Sequence, residues 1–320
     1  MNAAVVRAFD APPRYESFAD PVAGDEELIV TVSAAGLHQI VKSLANGKHY
    51  GSTGTLPFVP GLDGVGRLED GKRVFFASSR SPFGTFAERS VTARAMCFLV
   101  PDALDDVTVA AMMNPAMSSW AALTERIQFA RGESVLVLGA TGVAGQLAVQ
   151  IAKRLGAKRV VAAGRDQRTL DAVKRLGADS VISLNQDSKE LVASYQREFA
   201  ENKIDVVLDY LWGSPAERLL EGITQKGLLQ DAGRVRYLQI GSVAGPTISL
   251  PAATLRSSGL ALYGSGFGSV SMKRILESLQ VFLKEAARKP FEMGIKAAPL
   301  RDVEALWDAA EPAVRMVFRP

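Results

Sequence analysis

The sequence has little sulfur and little imidazole: one cysteine, Cys97, and two histidines, His38 and His49, in 320 residues. A single cysteine excludes an intrachain disulfide, and residues 1–15 lack the order of charged, apolar and small residues that marks a signal peptide. We therefore expect a reducing, cytoplasmic setting. So few ligands also exclude a closed zinc site built from Cys and His, although carboxylates could still form an oxygen-rich metal site.

The sequence also lacks a large excess of charge of either sign. Lys and Arg number 37 against 34 Asp and Glu, and the basic residues are scattered along the chain, so we expect no nucleic-acid partner. Hydrophobic residues make up 48% and charged residues 22%, which is the composition of a soluble globular protein rather than of a disordered one. The length favours two domains.

The longest nearly uncharged stretch runs from Val135 to Ala152 and is long enough to cross a membrane. Glycines and other turn-forming or polar residues interrupt its centre, so we expect no membrane span. SVLVLGA is typical of a parallel strand buried on both faces. The following residues, GVAGQLAVQIAKRLGA, have apolar side chains at four-residue spacing and predict a helix that ends at Gly156.

The turn between this strand and this helix, GATGVAG (139–145), is rich in glycine. Such a turn lets backbone N–H groups and the helix N-terminus approach a pyrophosphate. Strands and helices continue to alternate after it, with strands at 157–164, 179–184, 203–213 and 234–242, which predicts an α/β fold with a doubly wound parallel sheet. We expect a dinucleotide to contact four residues of the turn: Gly139, Thr141, Gly142 and Val143.

The end of the second strand indicates which dinucleotide binds. A free ribose 2′-hydroxyl usually meets a carboxylate there, whereas a 2′-phosphate requires arginine. The sequence has Gly164, Arg165, Asp166 and, one turn later, Arg168. We favour NADPH bound by Arg165 and Arg168; in the alternative interpretation Asp166 binds the ribose and both arginines are solvated.

Several stretches, in this order and spacing, resemble the medium-chain dehydrogenase/reductase superfamily, in its zinc-independent, quinone-oxidoreductase (zeta-crystallin-like) branch. They are LPFVPGLDGVG (56–66), GKRVFF (71–76), GTFAERSVTARAMCFLVPD (84–102), LVLGATGVAGQLAVQIAKRLGA (136–157), LGADSVI (176–182), DVVLDYLWG (205–213) and YLQIGS (237–242). The resemblance implies a GroES-like β-barrel catalytic domain at 1–112, completed by 262–320, and a Rossmann NADP-binding domain at 113–261. Short predicted strands before residue 110 agree with an all-β first domain.

The resemblance also allows the zinc positions to be compared. Zinc-dependent relatives have a Cys in G-x-C-H, a His in G-H-E-x-x-G and a third ligand near the start of the bridging helix. The corresponding residues here are His38, Leu62 and, less surely, Asn114, and the cysteine-rich structural zinc lobe is absent. We therefore expect no catalytic or structural metal.

Other site residues follow from the resemblance alone. The candidate catalytic residues are His38, Tyr50 and Asp63. His38 donates a proton or forms a polar wall, Tyr50 contacts cofactor or substrate or only packs, and Asp63 pairs with a base. Further cofactor contacts are expected at Asn114, Ser118, Gly241, Ser242, Gly264, Ser265 and Arg315. The resemblance also implies a homodimer formed through the strand LALYGSG (260–266).

These features favour an NADPH-dependent reductase that transfers hydride to quinones or α,β-unsaturated carbonyls without zinc. An electron-poor acceptor needs alignment more than it needs a Lewis acid. The alternatives are an enoyl-thioester reductase and a low-turnover NADPH-binding redox sensor or structural protein. We expect the loops at 44–58 and 76–86 to set the substrate.

Overall fold

The computed structural model describes residues 1–49, 51–52, 54–224, 233–266, 268–309, 311 and 313–320. They form two compact units. Unit 1 comprises Met1–Pro115 and Leu279–Pro320, and unit 2 comprises Ala116–Ser278. Residues 262–278, which we expected in the first domain, thus fall in unit 2; the assignment of catalytic and NADP-binding roles to the two domains remains a prediction.

The strands are β1 (Asn2–Val5), β2 (Arg14–Ser17), β3 (Glu27–Gly36), β4 (Asp63–Arg67), β5 (Arg73–Ala77), β6 (Arg89–Ala93), β7 (Cys97–Leu99), β8 (Ser134–Leu138), β9 (Arg159–Gly164), β10 (Ser180–Ser183), β11 (Val206–Asp209), β12 (Val235–Gln239), β13 (Leu260–Gly264), β14 (Gly294–Pro299) and β15 (Val314–Arg319). The α-helices are α1 (Gln39–Ala45), α2 (Asp106–Ala121), α3 (Val143–Leu155), α4 (Gln167–Arg175), α5 (Ser188–Asn202), α6 (Gly213–Ile223), α7 (Ala252–Ser257), α8 (Met272–Arg288) and α9 (Val303–Leu306). A π-helical turn, Ala122–Arg126, continues α2.

Unit 1 is built on a mainly antiparallel sheet. Its strands follow the order β14-β15-β3-β4-β5-β7, and β6 pairs with β3. Only β14 and β15 run parallel to each other. A separate antiparallel pair is formed by β1 and β2. The core of this unit contains Phe86, whose ring meets Phe318 and Trp307 edge to face at centroid distances of 5.5 and 6.2 Å. Strand β15, which contains Phe318, thus packs into the same core as Phe86 from the first part of the chain.

Unit 2 contains six parallel strands in the order β10-β9-β8-β11-β12-β13. Counted along the chain this is 3-2-1-4-5-6, the order of a doubly wound dinucleotide-binding sheet. All residues of β8 are buried, because helices cover both faces of such a sheet and its central strand must be apolar throughout. The predicted α/β class is confirmed, with an antiparallel sheet in one unit and a parallel sheet in the other.

Helix α3 begins and ends as the sequence predicts. It starts directly after the glycine-rich turn, and Gly156 ends it with a left-handed φ of 96°. Lys153 and Arg154 lie in the last turn, where a positive charge is favourable beside the exposed carbonyl groups. Among the helices that the structure describes, none has the length and apolarity needed to cross a membrane.

Candidate functional site

The glycine-rich turn of unit 2 is tied to the neighbouring strand. Gly139 follows β8 with a φ of +93°, a conformation that side-chain-bearing residues rarely adopt. The N–H groups of Gly139 and Ala140 both donate to the carbonyl oxygen of Ala163 on β9, at 2.9 Å each. The turn is therefore fixed at the carboxyl ends of β8 and β9. The order of the strands reverses at β8, and doubly wound folds bind their ligands at this point.

Two further glycines allow close backbone approach at this turn. A Cβ atom on Gly145 would lie 2.3 Å from the carbonyl oxygen of Gly139, and one on Gly164 would lie 2.4 Å from Cγ2 of Thr141. The exposed Gly142 is the N-cap of α3 and has no side chain to cap the helix. The N–H groups of the first helical turn, which begins at Val143, are thus available to an anion. These residues fit a pyrophosphate.

Arg165 and Arg168 are exposed beyond the end of β9. Asp166, between them, is the N-cap of α4: its Oδ1 accepts hydrogen bonds from the Thr169 hydroxyl and from the Thr169 N–H, the latter at 2.7 Å. These bonds hold the pKa of Asp166 below its usual range. Within the described part of the chain, neither guanidinium has an ion pair or hydrogen bond, so two free positive charges surround a carboxylate that already has partners. This arrangement favours a 2′-phosphate ligand over a free ribose hydroxyl.

The ends of β12 and β13 are joined by Gln239, which we did not identify from the sequence. Its carbonyl oxygen accepts from the N–H of Ser265 at 2.8 Å, and its side-chain amide donates to the carbonyl of Gly241 at 3.0 Å. The neighbouring Ser242 is exposed. The position of Gln239, as the last residue of β12 at the carboxyl edge of the sheet, was the available signal. Three predicted cofactor residues therefore lie together at one edge of the sheet, where cofactor contact stays a prediction.

Arg126, in the π-helical turn, was also missed. Its Nε donates to the carbonyl oxygen of Gly264 at 3.1 Å, and its guanidinium lies 5.6 Å from the centroid of the Tyr263 ring. No local pattern connects residues so far apart in the sequence. Arg126 thus fixes the end of β13, where two cofactor contacts are predicted.

The predicted residues Asn114 and Ser118 both lie in α2 and are half-buried. In unit 2 the Ser118 hydroxyl lies 3.0 Å from the hydroxyl of Tyr210, the residue that follows β11. Burial raises the pKa of Tyr210 to about 12, although hydrogen bonds to Ser118 and Ser119 counteract the shift. Tyr210 is therefore a neutral hydrogen-bonding group at physiological pH, and we did not expect this role from the sequence.

Unit 1 brings together three predicted residues from three elements. His38 precedes α1, Asp63 begins β4 and Arg315 lies in β15. His38 Nε2 is 3.1 Å from Asp63 Oδ1, with both side chains buried, and Nη1 of Arg315 donates to the Leu37 carbonyl oxygen at 2.7 Å. The base that we expected beside Asp63 is His38. The third predicted catalytic residue, Tyr50, lies outside the described residues.

Burial sets the protonation of this group. Burial lowers the pKa of His38, Asp63 acts in the opposite direction, and Arg315 lowers it further. Burial also lowers the pKa of Arg315 to about 10, where it is still charged at neutral pH. At neutral pH the imidazole of His38 is thus neutral and the guanidinium of Arg315 is charged. The His38–Asp63 contact lacks hydrogen-bond geometry, and His38 Nδ1 has no hydrogen-bond partner among the residues described here.

Within the described ranges, no group of three or more His, Cys, Asp or Glu side chains converges as a metal site would require. Zinc independence remains a prediction, based on the residue types at the zinc positions and above all on Leu62, which has no ligand atom.

Comparison with known proteins gives matches over the whole chain. A family model described as a zinc-binding dehydrogenase matches residues 143–283. A probable NADPH-dependent quinone reductase of Emericella nidulans is 27% identical, with 100% of both chains covered. The quinone oxidoreductase of Homo sapiens is 31% identical over 180 residues, which are 52% of this chain and 54% of that protein.

Solved structures agree on the fold. The quinone oxidoreductase of Thermus thermophilus, which was also solved in complex with NADPH, has a TM-score of 0.81 at 24% identity, with 100% of both chains covered. A quinone oxidoreductase of Pseudomonas syringae has a TM-score of 0.83 at 21% identity, again with 100% of both chains covered. Both proteins have the architecture described above.

Proposed function

We propose that the chain is a member of the medium-chain dehydrogenase/reductase superfamily and an NADPH-dependent oxidoreductase that reduces quinones or α,β-unsaturated carbonyls. The observation that carries this proposal is the state of the residues after β9. Arg165 and Arg168 are exposed and free of partners in the described structure, while Asp166 caps α4. The full-length similarity to a probable NADPH-dependent quinone reductase supports the same cofactor and acceptor class.

The residues of unit 2 fit NADPH. We assign the pyrophosphate to the turn from Gly139 to Val143, where glycines leave space for close approach and the N-terminus of α3 is uncapped. The 2′-phosphate is assigned to Arg165 and Arg168, whose charges would otherwise remain unpaired. When bound, NADPH supplies a hydride from its nicotinamide, and the acceptor gains that hydride together with one proton from water.

His38 is best interpreted as a polar wall residue rather than as a proton donor. Burial and the charge of Arg315 lower the pKa of His38, so at neutral pH its side chain is neutral and lacks the acidity of an imidazolium. Asp63 Oδ1 lies 3.1 Å from Nε2 without hydrogen-bond geometry. A quinone is electron-poor enough to accept hydride without a strong acid, so this interpretation is compatible with turnover.

The test is a paired titration of NADPH and NADH by fluorescence, followed by stopped-flow mixing with 1,4-benzoquinone, a simple enone and an enoyl thioester. We expect preferential NADPH binding and rapid oxidation by the first two acceptors. Oxidation by the thioester alone would indicate an enoyl-thioester reductase instead. Binding without oxidation by any acceptor would contradict a reductase and favour a redox sensor.

We further propose a cytoplasmic homodimer. Strand β13 is the last strand of the parallel sheet in the described structure, and Leu262 on it is 40% exposed. An apolar, unpaired edge strand invites pairing with a second copy. Light scattering after size-exclusion chromatography should give twice the chain mass; a monomeric mass would contradict the dimer. The scarcity of cysteine supports the cytoplasmic location, because proteins of reducing compartments rarely depend on disulfides.

A further inference from the structure

In unit 2, the loop after β10 lies against the arginine that we assign to the 2′-phosphate. Gly164 ends β9, and Arg165 is the first residue beyond it. Strand β10 pairs in parallel with β9 as far as Ser183 with Gly164. Leu184 and Asn185 therefore follow β10 beside Arg165, at the carboxyl edge of the sheet.

Two hydrogen bonds hold the peptide groups on either side of Arg165. The N–H of Leu184 donates to the carbonyl oxygen of Gly164 at 2.8 Å. The side-chain Nδ2 of Asn185 donates to the carbonyl oxygen of Arg165, also at 2.8 Å. The first bond fixes the peptide group before the Cα atom of Arg165, and the second fixes the peptide group after it. Because φ and ψ are the only soft dihedrals of a residue, the two bonds together fix the backbone of Arg165.

Only one of these two bonds depends on a particular side chain. The bond from Leu184 uses a backbone N–H, which every residue except proline has. The bond from Asn185 uses a side-chain amide, and its NH2 group faces the Arg165 carbonyl because two oxygens would repel each other there. The ψ angle of Arg165 is therefore held by the identity of residue 185.

Asn185 is held in place by its own loop. Its backbone N–H donates to Oγ of Ser183 at 3.3 Å. Nε2 of Gln186 donates to the Ser183 carbonyl oxygen at 2.8 Å, and Oε1 of Gln186 accepts from the Ser194 hydroxyl on α5 at 3.1 Å. Asp187 then caps α5. The amide that reaches Arg165 thus comes from a loop that is already ordered.

Arg165 has no other support for its position. Its side chain is exposed, and among the residues that the structure describes its guanidinium has no ion pair or hydrogen bond. A long side chain loses rotamer freedom when it binds a ligand, and a fixed backbone keeps further losses small. Arg168, by contrast, lies within α4, where the helix holds its backbone. Of the two arginines, Arg165 is the one whose position depends on a neighbouring side chain.

We propose that Asn185 is a positioning residue for the cofactor: it fixes the backbone of Arg165, presents the guanidinium to the 2′-phosphate of NADPH and so favours NADPH over NADH. The proposal rests on the proposed function, in which Arg165 binds that phosphate. Asn185 acts through Arg165 and has no assigned contact with the cofactor. NADH has no phosphate at this position and gains nothing from the bond.

Asn185→Ala tests the effect on selectivity, by fluorescence titration of the purified full-length protein with NADPH and with NADH. Asn185 is exposed, so the substitution leaves no cavity in the core. Loss of one hydrogen bond should raise the Kd for NADPH about threefold to tenfold and leave the Kd for NADH unchanged. An equal loss for both cofactors, or no loss for either, would overturn the proposal.

The matched control is Asn202→Ala, at the end of α5 in the same unit. It also removes a side-chain amide bond, from Nδ2 to Oε2 of Glu198 at 2.9 Å. This bond does not involve the segment after β9, so neither Kd should change. A selective loss of NADPH affinity in Asn202→Ala as large as that in Asn185→Ala would show that any lost amide bond has this effect, and the proposal would fail.

Two further variants test the donor itself. Asn185→Leu has a similar size and no donor, so it should lose as much NADPH affinity as Asn185→Ala. Asn185→Gln keeps the amide on a longer side chain and should recover part of the loss. Equal Kd values for wild type and Asn185→Leu would show that the hydrogen bond is not needed.

A double-mutant cycle tests whether Asn185 acts through Arg165. In the Arg165→Ala background the guanidinium is absent, so the addition of Asn185→Ala should change the Kd for NADPH by less than about twofold. If Asn185→Ala weakens NADPH as much in this background as in the wild type, Asn185 acts on the cofactor directly and the positioning role is wrong.

Arg165→Ala alone separates failure of this inference from failure of the cofactor assignment. If it weakens NADPH selectively and Asn185→Ala does not, the phosphate assignment stands and the positioning role is overturned. If it leaves the ratio of the two Kd values unchanged, both are overturned. The titrations contain no hydride acceptor, so their result does not depend on whether the protein reduces quinones.

Discussion

Asp63 Oδ1 lies 3.1 Å from His38 Nε2 inside unit 1, and the two residues are 3% and 1% exposed. At the position where zinc-dependent relatives have a cysteine ligand, this chain has a buried imidazole beside a carboxylate. Burial lowers the pKa of His38 and keeps the imidazole neutral at neutral pH. Its protonation therefore bears on the stability of the folded chain.

We predict that His38 makes the protein less stable in mild acid. Burial lowers the pKa of His38 in the folded state, whereas the unfolded chain titrates near 6.5. The unfolded state thus binds more protons just below that pH, so the free energy of unfolding falls as pH decreases. Thermal unfolding between about pH 7.5 and about pH 5 should show a smaller loss for His38→Gln than for wild type.

The matched control for this prediction is His49→Gln, the same substitution at the other histidine of the chain. It should retain the wild-type decrease of melting temperature with acid. If His38→Gln and wild type lose stability equally, His38 is not the group that titrates.

Arg165→Ala should weaken NADPH far more than NADH. Loss of a charge-assisted bond to the 2′-phosphate corresponds to about tenfold to hundredfold in Kd, whereas NADH has no phosphate at that position. Fluorescence titration of both cofactors measures the ratio. Arg175→Ala, at an exposed arginine at the other end of α4, is the control and should change neither Kd. An equal loss for both cofactors with Arg165→Ala would remove the basis of the phosphate assignment.

Gly145→Ala and Gly142→Ala should separate folding from cofactor binding. The new Cβ at residue 145 meets the Gly139 carbonyl at 2.3 Å, so we expect a loss of about 1 to 3 kcal/mol in the free energy of unfolding. At residue 142 the nearest described atom is 3.6 Å away, and the fold should remain intact while NADPH affinity falls. For both variants, denaturant unfolding measures the free energy of unfolding, and fluorescence titration measures NADPH affinity. A destabilised Gly142→Ala would contradict the open space inferred there.

Dialysis against a chelator should leave quinone reduction unchanged. The resemblance matches His38, Leu62 and Asn114 to the three zinc-ligand positions, and Leu62 has no atom that coordinates a metal. The assay compares NADPH oxidation before and after dialysis, with and without added zinc. A loss of activity that zinc restores would show that a metal takes part.

Local patterns were sufficient for much of unit 2. The apolar run of β8, the spacing of Val143, Leu147 and Ile151 and the stop at Gly156 are consequences of neighbouring residues, and the structure contains each of them. The role of Asp166 was left open by the sequence. In the structure Asp166 Oδ1 accepts two hydrogen bonds from Thr169 at the start of α4, whereas cofactor contact at this position stays a prediction.

By itself the sequence determined the α/β class, the order of elements and the glycine turn, because strands, helices and tight turns depend on hydrophobic periodicity and backbone freedom over a few residues. Only the tertiary structure decided which distant side chains meet. Pairing of β15 with β3, in register at Val317 with Gly36, carries Arg315 to the carbonyl of Leu37 across 278 residues. Such contacts follow from sheet pairing and burial of the whole chain, which no local pattern encodes.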